Sequence, residues 1–219
     1  MSVNIAKSEV KISVPGGAIE VSPSELKAFI RLVVTDPSGR VMSDSGEQES
    51  HSFVIQFLEF IYRVFDSVQT AFTATDGTED QGYLAASDNP IGCVKAPINN
   101  SNFGIVIGTD DTAEDNTDHA LNTQLTEGVT AGKITHNQSI INFAPAVTGG
   151  NVDMVLLRSF TNNTGNLITV KEAGVYTVHM AVAGALWYYH CHVRDVLASS
   201  VAVADKCSLS VFYTLRTTV

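Results

Sequence analysis

The sequence is poor in cysteine and has no long apolar run. Its 219 residues include only three cysteines, Cys93, Cys191 and Cys207, and none of them belongs to a CxxC pair. Neither a disulfide framework nor a cysteine-based zinc site is therefore indicated, and three free thiols are expected rather than a Cys191–Cys207 bridge. The N-terminus lacks the apolar core of a secretory signal, and polar residues interrupt every apolar stretch before it reaches the roughly 20 residues of a membrane span. We expect a protein made in a cytoplasm, with no membrane partner.

Charged residues are also scarce. They make up 16% of the chain and are mostly acidic, so that the formal net charge is −10 and the sequence pI is about 4.9. An acidic surface repels nucleic acid and anionic membranes, so neither is expected as a partner. Thr, Asn, Ser and Gly take the place of the missing charges, and this composition is typical of a β-rich protein with many turns.

Catalytic motifs are missing as well. The chain contains no GxSxG nucleophile elbow, no P-loop and no GxGxxG segment between a strand and a helix. Because no nucleophile and no pair of acids can be named, a β-sandwich hydrolase is the least favoured hypothesis. We predict a protein that is not an enzyme and that needs no cofactor.

Strand signals dominate the sequence from residue 28 onward. Residues 28–35 (AFIRLVVT) predict a strand, the DPSG turn follows at 36–39, and residues 40–42 start the returning strand of a hairpin. Further strands are predicted at 103–107, 120–126, 133–143, 152–161, 167–171, 174–182, 186–197 and 207–218. In the last of them, one face is formed by Leu209, Val211, Tyr213 and Leu215. Many short strands at this spacing are typical of an antiparallel β-sandwich with jelly-roll or immunoglobulin-like connectivity.

One amphipathic helix is predicted over residues 50–69. Its apolar face steps by three and four residues and includes Phe53, Phe57 and Ile61. Such a face must be covered, either by the sheet or by another subunit. Residues 1–27 are interpreted as an N-terminal arm or short hairpin, and 28–219 as a single domain that contains the helix and an irregular excursion over 70–102.

Two groups of side chains are candidates for holding a metal ion. An acidic turn follows the predicted strand 103–107. Its acids weighed as calcium ligands are Asp110, Asp111, Asp115 and Asp118. Their spacing does not match an EF-hand loop, so a solvated acidic turn is favoured over a looser calcium site. The second group is His190 and His192, because residues two apart on a strand share a face and could reach one transition metal. The remaining ligands would have to come from His119, His136 or His179, and a surface or interface role is favoured.

The stretch WYYHCHVRD also carries an aromatic run. Trp187, Tyr188 and Tyr189 are consecutive, so at least one of them must point outward from a strand, where it could stack on a sugar or fill a subunit interface. Together with the three helix residues named above, they are the predicted interface residues. Arg194 and Asp195, at the end of the same stretch, are interpreted as a pair that fastens a sheet edge.

Six segments form a succession along the chain: DPSGRV, SFVIQFLEFIY, FGIVIGTDDTAEDNTDHALNTQLTEG, RSFTNNTGNLITVKEAGVYT, HVRDVL and VAVADKCSLSVFYTLRTTV. Taken in this order, over residues 28–219, they resemble a family of tailed-bacteriophage virion structural proteins. The order carries the resemblance more than any one segment does. The chain departs from the family pattern at Asp110, which replaces the second glycine of a GxG, and around Asp205-Lys206-Cys207, which replaces a glycine before the last strand.

The resemblance implies a non-enzymatic component of the virion head, neck or tail. Such a protein would be assembled in the host cytoplasm, would form homo-oligomers and would contact other virion proteins through interfaces of more than roughly 1,000 Å². The alternative is a carbohydrate-binding β-sandwich, such as a host-receptor binder, that uses the aromatic run at 187–189 with or without calcium at the acidic turn.

Overall fold

The described part of the chain folds into β-strands. In the computed structural model, the residues described are 11–14, 17–20, 26–50, 54, 72–80, 92–148, 151–180 and 187–218. The strands in these ranges are β1 (Lys11–Val14), β2 (Gly17–Glu20), β3 (Leu26–Thr35), β4 (Val41–Asp44), β5 (Gln48–Glu49), β6 (Phe72–Thr73), β7 (Glu79–Asp80), β8 (Gly104–Gly108), β9 (Thr126–Glu127), β10 (Lys133–His136), β11 (Ile140–Thr148), β12 (Asn151–Thr161), β13 (Ile168–Met180), β14 (Trp187–Val203) and β15 (Ser208–Thr218).

The predicted helix over 50–69 lies outside the described residues, except for Ser50 and Val54. Its predicted interface residues, Phe53, Phe57 and Ile61, lie outside them too. Among the residues that are described, none forms a helix long and apolar enough to cross a membrane.

Two large sheets organise the domain. Sheet 1 has eight strands in the order β4-β3-β15-β12-β10-β9, with β11 also paired to β12 and β5 to β3, and sheet 2 has the order β14-β13-β8. All pairings in the two sheets are antiparallel except the short one between β9 and β10. Separate hairpins are formed by β1 with β2 and by β6 with β7. The prediction of a mainly β fold is confirmed, with sheets that are antiparallel or mixed.

The two sheets share one apolar core, an arrangement consistent with a β-sandwich. Side chains of successive strand residues point to opposite faces, and the alternation predicted for the last strand is confirmed in β15. In β15 the predicted face is inside, because Leu209, Val211 and Tyr213 are buried and Leu215 packs against them. Ile105, Val175 and Val193 are among the residues that sheet 2 contributes to the same core.

A second apolar cluster covers the opposite face of sheet 2. Val106, Tyr176, Val178 and Cys191 of the sheet pack there against residues from outside it, namely Val54, Ala96, Phe103 and Leu121. The backbone N–H of Val54 also donates to the carbonyl of His192 at 3.2 Å. Sheet 2 is therefore buried on both faces, while sheet 1 has one face in the core.

The predicted break between the strands 167–171 and 174–182 is wrong, because β13 runs without interruption. Glu172 and Ala173 were left between the two predicted strands, yet both pair with β8 on one side and with β14 on the other. A Cβ on Gly174 would lie 2.6 Å from the carbonyl oxygen of Val193. The glycine is thus required by the close approach of a neighbouring strand, which its sequence context does not reveal.

Two other strand predictions are corrected. The predicted strand 120–126 is mostly irregular, with only Thr126–Glu127 in β9, and the predicted strand 133–143 divides into β10 and β11. β14 extends beyond the predicted 186–197 to Val203, because its pairing with β13 jumps from Val196 to Val201 and resumes after a bulge.

The three cysteines are free thiols, as expected. Cys191 is completely buried, and burial raises the pKa of its thiol. It therefore behaves as a small apolar core residue.

Candidate functional site

The acidic turn that was weighed as a calcium site is stabilised by hydrogen bonds to its own carboxylates. Asp110 accepts a hydrogen bond from the backbone N–H of Thr112 at 2.7 Å, and Asp115 accepts one from the N–H of Thr117 at 2.9 Å. Hydrogen bonds from the two threonine side chains, together with these, hold the pKa of both aspartates below its usual range. These carboxylates shape the turn itself.

Arg194 anchors the acidic turn to sheet 2. Its guanidinium is completely buried and donates to Asp118 at 2.7 Å, to Glu172 at 3.2 Å and to the carbonyl of Thr112 at 2.9 Å. Burial alone would lower the pKa of Arg194, but its hydrogen bond to Asp118 and the negative charges of Asp118 and Glu172 raise that pKa above its usual value. The arginine therefore stays charged and joins strand β14 to both ends of the turn.

Glu172 holds the far end of the same turn. Its side chain is fully buried in β13 and accepts the backbone N–H groups of Asn122 at 3.2 Å and of Thr123 at 2.8 Å. A Cβ on Gly108 would lie 2.4 Å from the Glu172 carboxylate. The glycine that precedes the turn is thus needed to admit this carboxylate.

The remaining acids of the turn also have protein partners. Asp111 forms an ion pair with Lys171 at 2.8 Å, and Glu114 accepts the backbone N–H of Val196 at 2.6 Å. In the described part of the chain, no three His, Cys, Asp or Glu side chains group together as metal ligands. Calcium binding by Asp110, Asp111, Asp115 and Asp118 stays the less favoured alternative, and their contacts are those of a loop fastened to a sheet.

Arg194 and Asp195 do not pair with each other, because consecutive strand residues point to opposite faces. Arg194 points to the acidic turn, whereas Asp195 points into the core, where it accepts hydrogen bonds from the hydroxyls of Ser50 and Tyr213, each at 2.9 Å. The predicted fastening role is thus divided between two sites, and both lie inside the domain.

His190 and His192 are buried on β14 next to Thr177. The pairing of β13 with β14 shifts between Cys191 and Val193, so that His192 is an extra residue in a bulge. Its Nε2 lies 2.8 Å from the Thr177 hydroxyl, and the ring of His190 lies 6.0 Å from that of His179. All three histidines have further partners. The metal hypothesis for this pair stays a prediction.

The aromatic run borders an open groove on the second apolar cluster. Trp187 is 51% exposed, whereas Tyr188 and Tyr189 are half-buried. Tyr189 stacks on Phe103 with 6.1 Å between ring centroids and 14° between ring planes. We call this concavity the aromatic groove; it has a volume of about 340 Å³ and is lined by Cys93, Pro97, Asn100, Phe103, Val178, Trp187 and Tyr189.

A second surface, which the sequence interpretation missed, lies on the outer face of sheet 1. It carries half-buried apolar side chains that belong to neither core cluster. We call it the outer patch and define it by Phe29, Val33, Val155, Leu157 and Phe212. Strand pairing connects its members, because Phe212 lies opposite Leu157, and Phe29 and Val155 both lie opposite Thr214. The signal was present in AFIRLVVT, which has apolar residues on both faces and so cannot bury all of them in one core.

Arg158 is a fully buried charged residue that the sequence interpretation did not single out. It alternates with Leu156 and Phe160 on the inner face of β12, which places it in the core. Its guanidinium donates to four backbone carbonyls, those of Phe103 and Ile105 at 2.9 Å, Asn137 at 2.8 Å and Asn100. Burial lowers its pKa to about 10. Arg158 thus supplies donors to the part of β8 that has no strand beside it.

His136, weighed as a metal ligand, is a buried neutral histidine. Its Nδ1 lies 3.0 Å from the Glu127 carboxylate and 2.9 Å from the carbonyl of Ile134, so this nitrogen carries the proton. Burial, reinforced by the charge of Arg158, lowers the pKa of His136. Its Nε2 is buried without a hydrogen-bond partner within the described residues.

This histidine should make the fold sensitive to mild acid. The unfolded chain takes up a proton near pH 6.5, whereas the folded chain does so only at lower pH, so stability falls as the pH drops below about 6.5. We expect the urea midpoint to decrease between pH 7.5 and pH 5.5, and to decrease less in His136→Gln. The exposed Gln138 provides the control, since Gln138→Asn changes no titratable group and should keep the full decrease. An unchanged pH dependence in His136→Gln would contradict the assignment.

Comparison of the chain with protein-family models, with curated proteins and with solved structures finds no match. Function must therefore be inferred from the residues of this chain and from their arrangement.

Proposed function

We propose that this chain is a non-enzymatic structural component of a bacteriophage virion, acting through contacts between its own copies and with other virion proteins. The six sequence segments support the virion assignment, because their order along residues 28–219 resembles that of virion structural proteins. The outer patch carries the proposal of subunit contacts. Half-buried apolar side chains on the outer face of a sheet are what a protein–protein interface requires at its centre.

The charges around the outer patch favour a second copy as its occupant. A chain with a net charge of −10 repels its copies over most of its surface. The charged groups at this face are instead paired within the subunit: Lys27 with Glu49, Arg31 with Asp44, and Arg216 with Asp153 and Glu47. These three cations and four carboxylates leave a single net negative charge, so two copies can meet here with little repulsion.

The use of the polar groups supports a structural role over a catalytic one. Arg158, Arg194 and Glu172 bond mainly to backbone groups and to one another, and the acids of the turn do the same. Buried charges placed in this way hold loops and strand edges in position.

Three finer features belong to the same proposal: jelly-roll or immunoglobulin-like connectivity, a helix over 50–69, and assembly in the host cytoplasm.

Analytical ultracentrifugation of the purified chain tests the proposed contact. We expect species larger than the 23.4 kDa monomer at high concentration. Leu157→Lys, which places a charge in the outer patch, should weaken self-association by at least about tenfold, since burying one unpaired charge costs more than 1.4 kcal/mol.

Leu167→Lys is the matched control, because Leu167 is 64% exposed in a turn outside the outer patch. It should leave self-association unchanged, and neither variant should lower the urea midpoint much. A wild-type chain that stays monomeric up to its solubility limit would overturn the subunit-contact proposal. Absence of the chain from purified particles by mass spectrometry would overturn the virion assignment.

A further inference from the structure

We propose that the aromatic groove is a binding site for a neutral saccharide, with Trp187 as the surface on which a sugar ring stacks. The proposal rests on the chemistry of the groove and does not depend on the subunit contact described above. It assigns the aromatic run to a ligand site rather than to the interface.

The residues that line the groove are uncharged. The chain has 23 acidic and 13 basic residues, yet none of the seven lining residues is charged. An opposite charge is the strongest anchor for an ionic ligand, and these seven residues supply none. The volume of about 340 Å³ lies at the small end of the range for small-molecule sites. The groove therefore suits a small neutral ligand.

Aromatic rings form part of the lining of the groove. Trp187 is the first residue of β14 and pairs with Met180, so its ring stands at the end of the strand, half exposed. Tyr189 points to the same side two residues later and is held by its stacking on Phe103. Flat aromatic rings of this kind offer a large apolar contact that loses little side-chain freedom on binding. They match the apolar C–H face of a pyranose ring.

Hydrogen-bond donors also line the groove. Asn100 uses its Oδ1 to accept the backbone N–H of Asn102 at 2.8 Å, which leaves its NH2 group to donate. The Tyr189 hydroxyl accepts from the Asn102 amide at 3.4 Å and keeps its own hydrogen to donate. The Trp187 indole adds an N–H donor. Sugar hydroxyl oxygens are the acceptors that such a combination of amide, phenol and indole groups would bind.

The groove is also preformed on one side. The segment that contributes Cys93 is held to β13, because the backbone N–H of Val178 donates to the Cys93 carbonyl at 3.0 Å. Phe103 is buried in the second apolar cluster. A rigid site needs less ordering when a ligand binds.

Trp187 is the only tryptophan of the chain, so its fluorescence reports on this groove alone. The probes are neutral oligosaccharides built from glucose, galactose or mannose units, an acidic series containing uronic or sialic acid, and an apolar dye. We expect at least one neutral oligosaccharide to shift the emission to shorter wavelength in a saturable manner and to protect Trp187 from acrylamide quenching.

Two variants make the test specific. Asn100→Leu should weaken binding about tenfold, the loss expected for one hydrogen bond. Asn116→Leu, a change at an exposed asparagine in the acidic turn, should leave binding unchanged. The proposal is overturned if no neutral oligosaccharide alters the emission up to its solubility limit, if only the acidic series or the dye binds, or if Asn100→Leu binds as well as the wild type.

Discussion

Replacing Arg158 by methionine should destabilise the domain by at least about 3 kcal/mol, because it leaves several backbone carbonyls without donors at a cost of about 1–3 kcal/mol each. Methionine keeps most of the side-chain volume, so the loss comes from the missing hydrogen bonds rather than from a cavity. The carbonyls of Phe103 and Ile105 lose the donor that reaches them from β12. Urea unfolding followed by far-UV circular dichroism measures the change.

Arg31→Met is the matched control for this variant. Arg31 lies on the outer face of sheet 1 and forms an exposed ion pair with Asp44. Exposed pairs contribute about 0–1 kcal/mol, so this substitution should shift the midpoint only slightly. Arg158→Lys should fall between the two, since it keeps a charge but has fewer donors in a less favourable arrangement. A loss of less than about 1 kcal/mol in Arg158→Met would show that the carbonyls find other partners.

Replacing Arg194 by methionine should release the acidic turn and cost about 3–5 kcal/mol, because it leaves two carboxylates without the buried cation that pairs them. Those carboxylates belong to Asp118 and Glu172. Because Glu172 also accepts the N–H groups of Asn122 and Thr123, we expect both amides to exchange with deuterium faster in the variant. Hydrogen–deuterium exchange with peptide resolution measures this effect separately from global stability.

Lys171→Met provides the corresponding control. Lys171 pairs with Asp111 of the same turn, but the pair is largely exposed to solvent. Its removal should change the stability only slightly and should leave the exchange of the turn as it is in the wild type. If Arg194→Met lowers the stability without faster exchange in the turn, the buried charges hold the sheet and not the loop.

Local sequence patterns predicted the strands well where neighbouring residues decide the structure. The hairpin around the DPSG turn formed as expected, since Asp36 accepts the N–H of Ser38 and the turn closes at Gly39. The alternation in β15 also placed its apolar face correctly. The prediction failed at residues 172–173, which were taken for a break, and over 120–126, where only Thr126 belongs to a strand.

The candidate sites were likewise visible in the sequence only in part. The aromatic run was visible in the sequence, because three consecutive aromatic residues cannot all face one side of a strand. The rest of the aromatic groove was not visible, because Pro97, Asn100 and Phe103 reach Trp187 only through folding. The outer patch was overlooked because residues 28–35 were predicted as a strand without either of its faces being assigned.

By itself, the sequence determined a mainly β chain with many turns, since turn chemistry and side-chain alternation depend on residues only a few positions apart. It also determined a low and acidic charge content. Only the tertiary structure decided what the few buried charges do. Arg158 bonds to a carbonyl 55 positions away, and Arg194 to a carboxylate 76 positions away. No local pattern records such partners, because a buried charge is stabilised by whatever the fold brings within about 3 Å of it.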